Sequence, residues 1–408
     1  MTEIYLTIFF ISLLLFLLGS GVWVGLSMIT VSAIGMLLFT TRPVGDAMAT
    51  TIWGTSSSWT LTALPLFVWM GEILFRTKLS ENLFKGLSPW LSKLPGGLVH
   101  VNVVGCALFA AISGSSAATV ATVGKMSIPE LRKRKYPEKL LLGSLAGSGT
   151  LGLLIPPSII LIIYGVTIED SIAKLFMAGI LPGIMIALMF MLYVILWSIL
   201  NKRLMPKSNE SFSFLEKIQG SKQLLPVIFL ITAVISSIYT GIATATEAAS
   251  LGVVGALILS FFQGTLNRKT FKLSLLGATK TSCMIAFILA GSTFLSLAMG
   301  FTGLPRNLAI WIDAMNLSPY TLLFVLTIFY IILGMFLDGI SAVVLTMAII
   351  EPMIRQAGFD MIWFGIYLVI VVEMAQITPP VGFNLFVLQG MAGKDMGFIA
   401  KSAFPLFL

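Results

Sequence analysis

The sequence predicts an all-α membrane protein that crosses the lipid bilayer many times. Of its 408 residues, 57% are hydrophobic and only 10% are charged, and the mean hydropathy is +1.01. A soluble domain carries about 25% charged residues, so this composition excludes a water-soluble globular protein. The apolar runs are roughly 15 to 25 residues long, as in spanning helices, whereas the strands of a membrane β-barrel are about 10 residues long and alternate in character.

The apolar runs divide into continuous spans and interrupted segments. In chain order, the continuous spans are predicted at 4–18, 22–40, 59–75, 176–200, 225–240, 247–263 and 283–300. The interrupted segments are 98–124 with Ser113–Ser116, 140–163 with Pro156-Pro157, 320–350 with Asp338–Ser341, and 362–388 with Pro379-Pro380. The final run, 398–408, is too short to cross a bilayer core of about 30 Å, so the last span is predicted to be incomplete.

The positions of the basic residues predict the orientation. Most of the 25 Lys and Arg residues lie in four polar segments, 76–97, 125–139, 201–224 and 264–282. The positive-inside rule places these segments in the cytoplasm and the N-terminus in the periplasm. The net charge of +8 therefore indicates membrane orientation, and no nucleic-acid partner is expected.

Two of the interrupted segments are predicted to be re-entrant hairpins. The segment 98–124 joins two cytoplasmic segments, so it must enter the membrane and return, with its tip at Ser113–Ser116. The segment 320–350 follows an outer loop, 301–319, and returns to the same face, with its tip at Asp338–Ser341. The two hairpins therefore enter from opposite faces.

The chain is predicted to be an inverted repeat. Each half has three spans, a hairpin, a proline-broken span and a last span, and the two halves start on opposite sides. Gly114–Ala117 resembles Gly339–Ala342 at an offset of 225 residues. Pro156-Pro157 and Pro379-Pro380 are separated by a nearly equal offset of 223 residues.

Each interruption leaves backbone groups without helical partners. An unpaired N–H or C=O in hydrocarbon costs several kcal/mol, so the breaks are expected inside the protein or beside a wet cavity. Secondary transporters place discontinuous helices near the bilayer midplane, where free carbonyls bind a cation. Proline adds to this effect because it has no N–H and leaves the carbonyl one turn back unpartnered, and hard cations such as sodium prefer oxygen ligands.

We therefore predict two sodium sites, each formed by a tip and the Pro-Pro break of the same half. The first comprises Ser113, Gly114, Ser115, Ser116, Gly152, Ile155 and Pro157. The second comprises Asp338, Gly339, Ser341, Ala375, Thr378 and Pro380. The alternative is that the Gly and Ser residues only permit close helix packing and that the prolines only bend the helices.

Five further polar residues, Asp338 among them, lie within or beside the apolar runs. Asp338 lies on a tip, and a charge inside the membrane is usually functional, so we favour a site role for it. Glu247 is predicted to cap a helix, and Glu72 and Glu373 to form structural pairs. His100 is predicted to make a packing hydrogen bond.

No motif predicts an enzyme or a cofactor. The sequence contains neither a Gly-x-x-x-x-Gly-Lys-Ser/Thr loop for ATP nor a His-Glu-x-x-His motif for zinc. The two cysteines, Cys106 and Cys283, lie in apolar runs without disulfide or metal spacing. An ion gradient is therefore the expected source of energy.

Seven segments together resemble one known family. The first half contains LPGGLVHVNVVGCALFAAISGSSAATVATVG (94–124), IPELRKRKYP (128–137), GTLGLLIPPSIILIIYGV (149–166) and GILPG (179–183). The second half contains GIATATEAASLGVVGAL (241–257), GMFLDGISAVVL (334–345) and ITPPVGFNLFV (377–387). In this order they resemble the large membrane (M) subunit of tripartite ATP-independent periplasmic (TRAP) transporters over nearly the whole chain.

The resemblance implies an importer of a small carboxylate, such as a C4-dicarboxylate or a sialic acid, driven by sodium symport in the bacterial inner membrane. It implies two partners, a periplasmic substrate-binding protein (P type) and a small four-helix membrane subunit (Q type). The sodium ions are coupling ions, and no other cofactor is implied. The carboxylate is expected between the two tips, beside Ser115, Ser116, Ser341, Pro156 and Pro379.

The resemblance also implies an elevator mechanism, in which a transport domain moves against a fixed scaffold. The corresponding division has scaffold helices in 1–75, an amphipathic arm in 76–97, transport elements in 98–200, a cytoplasmic linker in 201–224, scaffold and connecting helices in 225–300, and transport elements in 301–408.

The sequence leaves three alternatives open. A related inverted-repeat carrier could work alone, without a binding protein, and uptake with and without that protein separates the two cases. A passive ion pore would lack saturable, sodium-dependent exchange. A membrane enzyme is the weakest alternative, because the sequence offers no catalytic residues for it.

Overall fold

The computed structural model describes residues 2–77, 79–206, 212–222, 224–303 and 318–408, with side chains described from residue 9 onward except at 79–81. Within these residues the chain forms nineteen α-helices and no β-strand. The first ten helices are α1 (Thr2–Gly19), α2 (Val24–Phe39), α3 (Val44–Ser56), α4 (Ala63–Phe75), α5 (Leu79–Leu91), α6 (His100–Ser113), α7 (Ser116–Lys133), α8 (Glu138–Leu154), α9 (Ile159–Thr167) and α10 (Ile172–Leu200). The others are α11 (Phe214–Ser221), α12 (Leu225–Tyr239), α13 (Ala245–Phe262), α14 (Arg268–Thr302), α15 (Pro319–Gly334), α16 (Gly339–Gln356), α17 (Met361–Gln376), α18 (Phe383–Ala392) and α19 (Met396–Phe407).

The predicted class, an all-α polytopic membrane protein, is confirmed. Four helices, α10, α13, α14 and α16, are each long and apolar enough to cross a bilayer. Three further pairs of helices meet this criterion when each bent pair is taken as one span, so the described part of the chain contains up to seven candidate spans.

Helix breaks occur at all four predicted interruptions. Two residues separate α6 from α7, four separate α8 from α9, four separate α15 from α16, and six separate α17 from α18. The two helices of the first hairpin, α6 and α7, pack against each other, and so do α15 and α16 of the second. The interruptions are therefore tips between paired helices or bends within a broken helix.

The helix α14 packs against α2, α3 and α4. A Cβ atom built on Gly291 of α14 would lie 2.7 Å from the carbonyl oxygen of Gly25 on α2. Small residues at a crossing of this kind allow two membrane helices to approach closely. The first hairpin lies against one of these helices, α4, where a Cβ atom on Gly71 would lie 2.8 Å from the carbonyl oxygen of Ile112.

Two polar segments predicted as loops are largely helical, which corrects their boundaries. α7 continues to Lys133 and α8 begins at Glu138, so only 134–137 remains non-helical from the predicted loop 125–139. Arg132 bonds Glu138 across this turn, with Nε and Oε1 2.7 Å apart. The basic residues in the last turn of α7 also complement the helix dipole.

The second corrected segment is 264–282, because α14 begins at Arg268. Asn267 caps this helix in a reciprocal bond with Thr270, which explains why the helix starts well outside the apolar run. The helix α3 was not predicted, since its sequence, VGDAMATTIWGTS, is too polar for a membrane span.

A helix of the predicted arm packs against a helix of the predicted linker. α5 packs against α11, and Trp90 Nε1 donates a hydrogen bond to Ser221 Oγ at 2.8 Å. A Cβ atom on Gly220 would lie 3.3 Å from the carbonyl oxygen of Lys85, so the two helices are close. Residues 207–211 of the linker and most of the predicted outer loop 301–319 lie outside the described residues.

Candidate functional site

The first tip lies directly against the first Pro-Pro break. Gly114 ends α6 with a left-handed backbone (φ +57°), and Ser115 caps the next helix, α7. A Cβ atom on Gly114 would lie 3.0 Å from the carbonyl oxygen of Pro157. Glycine is suited to this position because it tolerates the positive φ and lets the two backbones approach.

Oxygen atoms cluster at this junction. The hydroxyls of Ser113 and Thr119 are 2.9 Å apart, and both donate to the carbonyl oxygen of Ser115, at 3.2 and 2.8 Å. A Cβ atom on Gly152 would lie 2.6 Å from the same carbonyl oxygen. The structure therefore brings together Ser113, Ser115 and Gly152, and it adds Thr119, which lies one helical turn after Ser115 and was not predicted.

The first break has an internal partner that was not predicted from the sequence. The proline at 157 leaves the carbonyl of Leu153 without its helical N–H. The Ser158 hydroxyl donates to this carbonyl and also accepts from the amide of Leu161 at 3.4 Å. Ser158 is fully buried and caps α9, so one of the carbonyls exposed by the prolines is already satisfied.

At the second tip, Asp338 caps α16. Its Oδ2 atom accepts from the amides of Ile340 and Ser341, at 3.1 and 3.2 Å. A carboxylate at a helix N-terminus also interacts favourably with the helix dipole. Asp338 is half-buried, and both Gly339 and Ser341 are buried.

The second break is more exposed than the first. Pro379 and Pro380 are exposed, whereas Pro156 and Pro157 are buried. Thr378, another predicted ligand, donates its hydroxyl to the carbonyl oxygen of Met374 at 2.7 Å.

The second tip and the second break meet at two points. The amide of Gly382 donates to the carbonyl oxygen of Met335 at 3.4 Å. A Cβ atom on Gly334 would lie 2.6 Å from the Cβ atom of Ala375, so Ala375 is adjacent to the end of α15.

Ser116 does not face the same direction as Ser115. Its hydroxyl donates to Oδ1 of Asn384 on α18 at 2.7 Å, and both side chains are buried. Ser113 and Ser115 instead line a cavity of about 190 Å³, the tip cavity, which α4 and α14 close with Gly71, Glu72 and Thr281. Asn384 was not predicted from the sequence, because its role depends on a contact 268 residues away.

A second, larger cavity lies between α3, α14 and the end of α9. This hydroxyl cavity has a volume of about 510 Å³. Its polar lining includes Thr50, Thr51, Thr55, Ser58 and Thr293.

Three of the predicted structural roles are confirmed and one is not. Glu72 pairs with Arg76 at 2.8 Å, Glu247 forms a capping box with Thr244, and His100 Nε2 bonds the carbonyl oxygen of Pro95 at 2.8 Å. The predicted pairing of Glu373 is not found among the described residues. This side chain is buried, and its Oε1 atom has no hydrogen-bond partner among the described residues.

The described residues contain no group of three or more His, Cys, Asp or Glu side chains that could hold a metal ion. The groups available at the first tip are hydroxyl and carbonyl oxygens. Such a set carries no net charge, unlike calcium and magnesium sites, which are built with carboxylates.

Comparison with known proteins identifies the family. Residues 10–408 match the family described as the DctM component of tripartite ATP-independent periplasmic transporters, which confirms the resemblance in the motifs. The C4-dicarboxylate TRAP transporter large permease protein DctM of Pseudomonas aeruginosa is 33% identical over 374 residues, covering 91% of this chain and 87% of the relative. The sialic acid TRAP transporter large permease protein SiaM of Vibrio cholerae is 30% identical over 399 residues, covering 96% of this chain and 91% of the relative.

The crystal structure of the Alcanivorax borkumensis YdaH transporter has a similar fold, with a TM-score of 0.61 at 14% identity and 94% of each chain covered. The chain belongs to the DctM family, the large membrane permease component of the TRAP transporters.

Proposed function

We propose that this chain is the translocating subunit of a sodium symporter that imports a small organic acid across the bacterial inner membrane. It receives the acid from a periplasmic binding protein and works beside a small four-helix membrane subunit. Membership of a tripartite family supports these two partners. It also favours the tripartite transporter over a carrier that works alone.

The observation that carries the proposal is the oxygen cluster where the first tip meets the first break. Sodium binds there to the carbonyl oxygen of Ser115 and the hydroxyls of Ser113 and Thr119, with carbonyls of the break, such as that of Pro157, within reach. The second site uses the Asp338 tip and the break at Thr378 and Pro380. Because the prolines of the second break are exposed, this site is the more loosely formed of the two.

The carboxylate binds in the tip cavity, beside the N-terminus of α7. This position differs from the predicted one between the two tips, because of the predicted substrate residues only Ser115 lines this cavity among the described residues. Ser115 and Ser113 line this cavity. The helix dipole and a sodium ion at the tip both favour an anion here, so cation binding raises the affinity for the carboxylate. A volume of about 190 Å³ is small for a binding pocket, which favours a C4-dicarboxylate over a sialic acid. The names of relatives that carry either class support this range of substrates.

Translocation follows an elevator scheme. The scaffold comprises α2 to α4 with α13 and α14, and the transport elements comprise the two hairpins and the two broken spans. The first tip meets the scaffold at Gly71, where a Cβ atom would lie 2.8 Å from the carbonyl oxygen of Ile112. Movement of the tip along α4 carries the ions and the carboxylate across the membrane.

The test is uptake by the reconstituted three-protein transporter. Labelled C4-dicarboxylate should accumulate with an inward sodium gradient and with the binding protein, but not with a potassium gradient or without the binding protein. Ser113→Ala and Asp338→Asn should each lower sodium-dependent uptake at least tenfold, because each removes an oxygen at a proposed site. Ser32→Ala is the matched control. Ser32 is a buried serine of the proposed scaffold, and its hydroxyl bonds, among the described residues, only the carbonyl oxygen of Met28 in its own helix. Uptake that is equal with sodium and potassium would refute the proposal.

A further inference from the structure

The four interrupted segments contact one another in a closed ring. The first tip meets the first break at Gly114, as described above. The first break meets the second tip, because a Cβ atom on Gly339 would lie 3.3 Å from Cδ1 of Leu153 and 3.5 Å from Cδ1 of Ile160. The second tip meets the second break through the amide of Gly382 and the carbonyl oxygen of Met335.

The ring closes between the second break and the first tip. Here the contact is a hydrogen bond between two side chains, from Ser116 to Asn384. The other three contacts involve backbone atoms or apolar atoms. The Ser116–Asn384 bond is therefore the contact that a single conservative substitution can remove without changing a backbone.

The side-chain amide of Asn384 is hydrogen-bonded through its oxygen but not, among the described residues, through its nitrogen. It is completely buried, its Oδ1 accepts from Ser116, and its Nδ2 has no partner among the described residues. A buried donor without a partner is destabilising, so stability alone does not account for an asparagine here. At the offset of 223 residues that relates the two Pro-Pro pairs, the counterpart of Asn384 in the first half is Leu161. The second half therefore has a polar side chain at this position, where the first half has an apolar one.

We propose that the Ser116–Asn384 hydrogen bond couples the two sodium sites, so that an ion at either site raises the affinity of the other. This inference rests on the proposed function and adds a positioning residue to it. Ser116 follows the ligand Ser115 directly and precedes Thr119 by three residues. Asn384 lies two residues after Gly382, at which a Cβ atom would lie 2.7 Å from the carbonyl oxygen of Thr378. Each end of the bond is therefore adjacent to one of the sites.

The physical basis is the shared ordering of two short segments. A sodium ion at the first site fixes the first turn of α7, and the bond then restricts the start of α18 and the break before it. The ion at the second site binds to a segment that is already ordered, so part of its ordering cost has been met. By linkage the effect is reciprocal, and the second ion strengthens binding of the first to the same extent.

The experiment measures sodium binding without substrate or partners. The purified full-length chain is heated in detergent at increasing sodium, with potassium replacing sodium at constant ionic strength. The rise in melting temperature gives an apparent affinity and a Hill coefficient. For the wild type we expect a Hill coefficient clearly above 1, because two coupled ions bind.

Asn384→Leu and Ser116→Ala should each reduce the Hill coefficient to about 1. Each should also weaken the apparent sodium affinity by roughly threefold to tenfold, as for the loss of one hydrogen bond. The double variant should be no worse than either single variant, because both remove the same bond. Asn384→Leu should fold, since leucine has a similar volume and removes an unpartnered donor.

Asn102→Leu is the matched control. Asn102 is equally buried and donates to the carbonyl oxygen of Leu141 and to the hydroxyl of Ser144, so it joins the first halves of α6 and α8, away from the tips and breaks that form the ring. It should lower the melting temperature at all sodium concentrations and leave the Hill coefficient unchanged. An unchanged Hill coefficient in Asn384→Leu, or an equal loss in Asn102→Leu, would overturn the coupling while leaving the sodium sites intact. A wild type that sodium does not stabilise beyond potassium would refute the sites themselves.

Discussion

Gly152 shows how a single residue determines the geometry of the first tip. The carbonyl oxygen of Ser115 lies where a side chain at 152 would begin, 2.6 Å from the position of a Cβ atom, and the Thr119 hydroxyl lies 2.8 Å from it. Real Cβ contacts are essentially never this short, and the nearest atom belongs to a backbone. Any larger residue must therefore displace the tip from the break.

We predict that Gly152→Ala abolishes sodium-dependent stabilisation and uptake while the protein still folds. Overpacking of this kind costs about 1–3 kcal/mol, which moves the tip before it unfolds the helix. Gly105→Ala is the control on the neighbouring helix α6, because its Cβ atom would make only an ordinary contact of 3.6 Å with Val123. Normal sodium stabilisation in Gly152→Ala, measured as a melting-temperature shift, would contradict this account.

The sequence predicted the position of each interruption but not every residue that completes the site. Ser113, Gly114 and the prolines interrupt an apolar run, so they can be recognised locally. Thr119 and Ser158 resemble ordinary helix and cap residues, and Asn384 lies far away in the chain. The bonds of Thr119 and Ser158 are local, but their residue types alone do not distinguish them from ordinary helix and cap residues. The contact of Asn384 joins segments 268 residues apart, which a single sequence without homologues does not reveal.

At the scale of helices, α2 and α14 cross at close range. The backbones of the two helices are in contact at Gly291 and Gly25. A Cβ atom on Gly291 would lie 2.7 Å from the carbonyl oxygen of Gly25 and 3.2 Å from its Cα atom. In lipid, helix association depends on van der Waals packing and on small residues at the crossing. Separating the two helices by one methyl group therefore weakens contacts along both of them.

We predict that Gly291→Ala lowers the free energy of unfolding by about 1–3 kcal/mol. Gly300→Ala on the same helix has nothing within 4 Å of its Cβ atom. It should be neutral or stabilising by up to about 1 kcal/mol, since alanine favours a helix over glycine. Thermal unfolding in detergent compares the two variants. Equal melting temperatures would show that the crossing is not close-packed.

Helix lengths were the least predictable feature at this scale. α7 and α14 extend well into charged segments that were predicted as loops. Hydropathy reports which residues can lie in hydrocarbon, and a helix continues into water wherever caps and charges permit. Asn267 and Arg132 supply such interactions, as shown by their bonds to Thr270 and Glu138.

At the scale of the whole molecule, the tip cavity and the hydroxyl cavity lie on either side of a packed layer. Thr281 and Thr293 of α14 line one cavity each. Twelve residues of helix separate them, which corresponds to about 18 Å. Between them, Ile285 of α14 and Leu64 and Phe67 of α4 are all buried. These buried side chains separate the two cavities.

The orientation of these cavities provides the last prediction. Phe75, which lines the tip cavity, directly precedes the basic arm 76–97, so from the positive-inside rule we expect this cavity to open to the cytoplasmic side. In a background of Cys106→Ala and Cys283→Ser, a membrane-impermeant maleimide should label Ala121→Cys only from the cytoplasmic side. It should label Thr51→Cys, in the hydroxyl cavity, only from the periplasmic side.

Leu64→Cys is the control for the packed layer. Because Leu64 is buried between the two cavities, a cysteine there should remain unlabelled from either side. Sodium with a C4-dicarboxylate should slow the labelling of Ala121→Cys, because both bind beside the same tip and favour conformations that enclose them. Labelling of Ala121→Cys and Thr51→Cys from one common side would contradict both the orientation and the layer. If each cysteine is labelled from the expected side but sodium does not change the labelling of Ala121→Cys, the topology is supported and the proposed ion site is contradicted.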